Sequence, residues 1–202
     1  MRFIGLLTLI FFLASNCFAI DTTRLIPSIS KWNLPIDLND KNTKISFEVD
    51  STWHVVRGVT SGIEGLMKLQ DEKDPASVEV RLQVPVASFD TDNLTRNGHM
   101  RDAMSAERFP TVSFLGSGLQ KLCTPALVLR DGSCNDVLLG KLTLLETTRS
   151  IELPIEIIRI SNQSFSVKGK VPLRWAEYGV EDPSIFISRL DPTVTVYFEI
   201  TL

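Results

Sequence analysis

Histidine is almost absent from this sequence: His54 and His99 are the whole supply. Zinc and non-haem iron sites lean on histidine, and most catalytic triads need one beside a nucleophile. No HExxH, no GxSxG and no phosphate-cradling glycine loop occurs either. Cysteine is nearly as scarce. Cys17, Cys123 and Cys134 include no Cys-x-x-Cys pair and no metal-ligand cluster, which argues against a redox centre. No block of like charge stands out. A formal charge of −3, evenly mixed along the chain, argues against nucleic acid as a partner. After residue 13 no apolar run approaches the ~20 residues of a membrane helix. Neither a cofactor nor a metal is expected.

What is present begins with a leader. Arg2, the apolar run Phe3 to Leu13 and the small residues before Ala19 describe a secretory signal over residues 1–19, cut after Ala19. Asn16 sits where lipidation of Cys17 wants Gly or Ala, which argues against a lipid anchor. Removing one arginine with the leader leaves twenty basic and twenty-four acidic residues, or −4. The expected location is the periplasm or outside the cell. Residues 20–35 are poorly patterned and read as a mobile arm. Residues 36–202 are enough for one domain with a sizeable core.

That domain reads as strand after strand. Ile45, Phe47 and Val49 alternate with polar neighbours, and Trp53, Val55 and Val59 continue the segment. Gly58, Gly62 and Gly65 suggest bulges or bends. Ile63, Met67 and Leu69 share the next inward face, and Asp74-Pro75 marks a turn. The clearest alternation is Val78, Val80, Leu82, Val84 and Val86. Val137 to Leu145 is nearly apolar throughout and is expected to be covered on both faces. Ile151 to Ile157 alternates, with Pro154 implying an edge or a bulge. Phe165, Val167, Gly169 and Val171 follow, and Val194, Val196, Phe198 and Ile200 form the last inward face. Eight to ten antiparallel strands describe a barrel or a sandwich.

One stretch breaks the pattern. Between Arg96 and Met104 the spacing turns helical, with Met100 and Met104 on one face. Pro110 disfavours helix at Phe109 and sets its end. Asp90 and Asp92 read as turn and cap residues. The order Ser88-Phe89-Asp90-Thr91, then the Arg- and His-containing helix, then Phe109-Pro110-Thr111-Val112-Ser113-Phe114 resembles the YceI-like family of bacterial polyisoprenoid-binding proteins. Gly140-Lys141-Leu142-Thr143-Leu144, Thr147-Thr148-Arg149 and Tyr178-Gly179-Val180 extend the resemblance from about Trp32 to Leu202. Thr43-Lys44 stands where the family often has His-Ser, and Glu146 where a turn glycine is usual. The resemblance implies an all-β, lipocalin-like antiparallel barrel of about eight strands with one short inserted helix. It also implies an isoprenoid ligand, either a polyprenyl chain or an isoprenoid quinone, held by a carrier or buffer rather than an enzyme, with transient membrane contact.

The apolar cavity residues are expected to be Phe47, Trp53, Met67, Phe89, Met100, Met104, Phe114, Phe165, Trp175 and Phe198. Met and aromatic side chains adapt to an apolar ligand, although the same residues would fill an ordinary core. Two rival readings stand beside this one. The first is a lipid-modifying enzyme using His99, Arg96 and Asp102. The second is a structural or stress-response interaction module with a filled core. Arg101 and Arg174 are candidates for an anionic head group.

Two cysteines in an oxidising compartment usually pair. For Cys123 and Cys134 two arrangements compete. A tight hairpin at Asp131-Gly132 would place Cys123 opposite Gly140, too far for a bond. A ten-residue loop from Thr124 to Ser133, between strands ending at Leu122 and starting at Asn135, would bring the two face to face. Pro125 interrupts a ladder and favours the loop.

Overall fold

The computed structural model describes residues 32–184 and 189–202. Its ten strands are β1 (Ile36–Leu38), β2 (Thr43–Ser51), β3 (Val55–Val59), β4 (Glu64–Leu69), β5 (Val78–Pro85), β6 (Thr111–Leu119), β7 (Ser133–Leu144), β8 (Thr147–Arg159), β9 (Phe165–Arg174) and β10 (Leu190–Thr201). All pair antiparallel in one sheet of order β1-β4-β5-β6-β7-β8-β9-β10-β2-β3. The sheet curls into a barrel-like half-barrel, with β1 and β3 as its two ends. The seam is tied by side chains. Asp40, in the β1–β2 turn, accepts the N–H groups of Gly62 and Ile63 in the β3–β4 link at 2.8 and 3.0 Å. The Ile63 and Gly62 amides hold its carboxyl below the usual carboxylate range. The proposed leader and most of the proposed arm lie outside the described residues.

Alternation places the core. Val78, Val80 and Val84 are buried on β5, while Arg81 and Gln83 face water. The expected faces hold on β2, β8, β9 and β10. On β3 the face is displaced by one residue: Val56 is buried and Val59 is 57% exposed. The cause is a hairpin turn at Thr52–His54, which resets the phase. The β7 segment was expected to be covered on both faces, yet Leu139 and Lys141 face outward and are exposed. No second layer of the described residues lies over them, and Leu138, Leu142 and Leu144 of the same strand line the cavity on the other face. Pro154 is not at the sheet's edge, but β8 meets β9 only from Ile155 onward. It therefore has a ladder partner on the β7 side alone. A 3-10 turn, Trp175–Tyr178, closes the space beyond, where Arg149 Nε donates to the Glu177 carbonyl at 2.9 Å.

The sequence suggested one helix; the described residues hold two α-helices. α1 (Leu94–Ala103) starts at Asn93, whose side chain accepts the Arg96 N–H. The cap is thus Asn93 and neither Asp90 nor Asp92. The helix ends six residues before Phe109, because Met104 leaves helical geometry and Ser105 takes φ +45. α2 (Pro125–Asp131) fills the loop between the cysteines. Thr124 caps it, Pro125 takes the first turn where no N–H is needed, and Gly132 at φ +86 ends it. Asp131-Gly132 is therefore a helix terminus and not a hairpin. Cys123 and Cys134 are bonded, with Cα atoms 6.0 Å apart. The flanking strand ends earlier than expected, at Leu119. Cys123 is instead placed by Asp136, which accepts the Lys121 and Cys123 N–H groups.

Candidate functional site: an apolar cavity inside the barrel

The inward faces enclose a cavity of about 660 Å³. Its wall is almost wholly apolar because antiparallel alternation sends every second side chain inside. β10 contributes Val194, Val196, Phe198 and Ile200, and β5 contributes Val78, Val80, Leu82 and Val84.

The two ends of the barrel differ. At one end lie the start of β9, the end of β10 and α2. There Trp32 meets Phe165 edge to face, with centroids 5.3 Å apart. Trp32 Nε1 donates to the Pro75 carbonyl at 3.2 Å. Cys123 and Val128 are fully buried beside them in the same core. Of the expected arm, residues 32–35 are described, and Trp32 there is only 5% exposed and packs as the floor. At the other end lie the β2–β3 hairpin, the start of β10 and α1. Trp53 and His54 line the cavity from the hairpin; Thr95, Arg96, His99 and Met100 line it from α1. Trp53 is 74% exposed, and Leu94 at the head of α1 is 88% exposed.

A hydrogen-bonded cluster fixes α1 there. Asn97 Oδ1 accepts from Thr91 N at 2.9 Å and Thr91 Oγ1 at 2.6 Å, while its Nδ2 donates to Asp90 Oδ1 at 2.8 Å. Arg96 Nε donates to Thr91 Oγ1 at 2.8 Å, and Nη2 donates to the Thr91 carbonyl. Asn97 and the Asp92 amide hold the Asp90 carboxyl below its ordinary range. Asp90 also bridges to Val59, so the helix is tied to the free side of β3. Sequence reasoning missed this cluster. Asn97 follows the capping residue Asn93 by four positions, and that spacing was the available signal.

The lumen stays open through three close approaches. The far ends of the rings of Phe47, Phe114 and Phe198 lie over Gly58, Gly140 and Gly169 on neighbouring strands, where a Cβ would overlap the ring. Gly58, expected to mark a bulge or a bend, is the seat of the Phe47 ring; Phe47 and Gly58 are direct cross-strand partners.

Of the expected cavity residues, Phe47, Trp53, Met67, Phe89 and Met100 line the cavity, as do Met104, Phe114, Trp175 and Phe198. Phe165 does not; it is 1% exposed and packs behind the wall against Trp32. The suggested polar trio is not assembled. Arg96 and His99 face the cavity, but Asp102 is exposed and off the wall. Neither Arg101 nor Arg174 lines it, and Arg174 lies 3.8 Å from Glu177. The polar atoms on the wall are few, among them the buried and unpartnered Oγ1 of Thr60. Among the described residues no group of three or more His, Cys, Asp or Glu is placed to hold a metal. No described helix is long and apolar enough to cross a membrane.

Known proteins share this architecture. The crystal structure of Burkholderia cenocepacia BcnA covers 79% of the chain and is itself covered to 96%, with TM-score 0.64 and 16% identity. A polyisoprenoid binding domain from Saccharophagus degradans aligns over 79% of the chain and 92% of its own length, with TM-score 0.60 and 16% identity. Among curated sequences, Protein YceI of Escherichia coli is 26% identical over 113 residues, 52% of the chain. The match spans only about half, 54%, of that relative. A UPF0312 protein of Photorhabdus laumondii is 25% identical over 154 residues, 70% of the chain and 73% of the relative. The model of the YceI-like domain matches residues 37–202, and the chain belongs to the YceI-like family.

Proposed function

We propose that this protein is an exported carrier or buffer for an isoprenoid-type lipid, either a polyprenyl chain or the tail of an isoprenoid quinone. The observation that carries the reading is the cavity: apolar, about 660 Å³, floored by Trp32 and rimmed by α1. Membership of the YceI-like family points to a binding protein rather than an enzyme. The Saccharophagus degradans neighbour is described as a polyisoprenoid binding domain, which supports the ligand class. A leader over residues 1–19 and the Cys123–Cys134 bond support an oxidising, periplasmic location. A core filled by its own side chains would leave no such lumen.

Energetics favour exchange over storage. Moving a prenyl tail from water to an apolar lumen is strongly favourable, at ~0.8 kcal/mol per buried methylene. A tail taken from a bilayer starts equally dry, so the net transfer is near zero. Exposed Trp53 and Leu94 beside the opening support brief contact with a membrane surface during that exchange.

Native mass spectrometry of the protein, expressed with its leader and purified without detergent, tests the reading. Mass increments matching prenyl lipids are expected. Protein that carries no lipid and takes up no geranylgeraniol when offered it would overturn the proposal.

A further inference from the structure

Among the described residues a single buried side-chain polar atom lacks a hydrogen-bond partner, Oγ1 of Thr60, and it lies on the cavity wall. Alternation brings it there. Val56 is buried on β3, Val59 is exposed, and Thr60 is the next inward position. Its N–H is already used, donating to the Ile45 carbonyl at 3.1 Å. Ile45 and its cross-strand partner Phe198 are both wall residues, so the surroundings of the hydroxyl are apolar. Ser51, where β2 ends, lies six residues beyond Ile45, about 20 Å along the strand. The hydroxyl therefore sits well inside the lumen, far from the hairpin end. The buried hydroxyls of Thr43 and Thr91 on the same wall are bonded, to Asn42 at 3.0 Å and to Asn97 at 2.6 Å. Valine would fill the volume of Thr60 without burying a polar atom, so the orphan hydroxyl weakens the ligand-free fold.

Resting on the reading of this cavity as a prenyl-lipid site, we propose that Thr60 determines specificity by hydrogen-bonding an oxygen that the lipid carries into the lumen. The occupant is then an oxygen-bearing prenyl lipid and not a bare hydrocarbon. A hydroxyl both donates and accepts, so it suits a prenol hydroxyl and a quinone carbonyl alike. Within an apolar wall that bond gives the Thr60 hydroxyl the partner it lacks, whereas a lipid without the oxygen leaves the cost in place. Recognition is local to one side chain, and the surrounding wall takes the rest of the lipid.

The test offers three lipids separately from phosphatidylcholine vesicles: geranylgeraniol, the same chain lacking its hydroxyl, and menaquinone-4. Loading of the full-length mature protein is read by native mass spectrometry, and stability of the ligand-free protein by urea unfolding. Thr60→Val is expected to lower loading of geranylgeraniol, menaquinone-4 or both by ~10-fold, to leave the hydrocarbon within ~2-fold, and to raise the urea midpoint. A loss confined to geranylgeraniol assigns the oxygen to a hydroxyl; one confined to menaquinone-4 assigns it to a ring carbonyl. Thr60→Ser keeps the hydroxyl and is expected to keep the preference. A Thr60→Val protein that loads both oxygenated lipids like the unaltered one would overturn the contact and leave the hydroxyl to water. An equal loss for all three lipids would trace the effect to packing and overturn it as well. Failure of every lipid to load on the unaltered protein would overturn the lipid-carrier reading beneath the contact.

Discussion

At the scale of single residues, three side chains carry testable weight. Asn97 is 4% exposed and satisfies both the amide and the hydroxyl of Thr91. Asn97→Ala strands those groups and should lower stability by ~1–3 kcal/mol in urea unfolding. Gly140 lies under the Phe114 ring. Gly140→Ala must push the ring into the lumen, costing ~1–3 kcal/mol and reducing uptake of a prenyl probe. Asp40 has a carboxyl held low by two amides. A depressed folded-state pKa contributes stability that is present above the ordinary aspartate value of 3.8 and lost as pH falls through the folded value. Asp40→Asn should therefore flatten the loss of stability on acidification below about pH 4, while lowering stability modestly at neutral pH. Urea midpoints measured across pH give both signs. Alternation made the wall residues legible, as Val78 to Val84 show. Asp40 was not, because its partners are backbone amides more than twenty residues away that no local pattern announces; Asn97 bonds locally, to Thr91 and Asp90, and only its spacing from Asn93 hinted at it.

At the scale of elements, α1 and α2 are both short and held by specific bonds. α1 was visible in the sequence from Arg96 to Met104, but its end was misplaced. Pro110 forbids helix locally, whereas the observed stop is set by Met104 turning into the core, where it is 8% exposed. Replacing Met100 and Met104 by Asp should abolish most prenyl-probe uptake while far-UV dichroism retains its β signature. α2 was read as a loop, favoured over an Asp131-Gly132 hairpin because Pro125 interrupts a ladder, and a seven-residue helix has little periodicity of its own. The bond between Cys123 and Cys134 closes a segment of twelve residues, an entropic stabilisation of ~2.8 kcal/mol less any strain. Changing both cysteines to Ser should lower the melting temperature by several degrees and leave probe uptake intact, since neither cysteine lines the cavity. Calorimetry and a binding titration on the same sample check both halves.

At the scale of the molecule, the barrel holds its ligand space by shape rather than charge. Its wall is apolar and the chain without its leader carries only −4, so probe affinity should change less than ~2-fold between ~0.05 and ~0.5 M salt. A steep salt dependence in a fluorescence titration would instead place a charged head group at the centre of recognition. The barrel was legible from strand count and the family resemblance together; its closed floor was not, because Trp32 precedes the first alternating segment and contacts residues far along the chain. The ring-on-glycine seats occur on three separate strand pairs, β2–β3, β6–β7 and β9–β10. Each seat makes two positions answer to one another. At Gly58 the nearest obstacles to a Cβ all belong to Phe47. A Gly58→Ala lesion should accordingly have an intragenic suppressor at Phe47, with Leu in place of the ring restoring the fold, and genetic selection for such revertants would trace the barrel wall without a structure in hand.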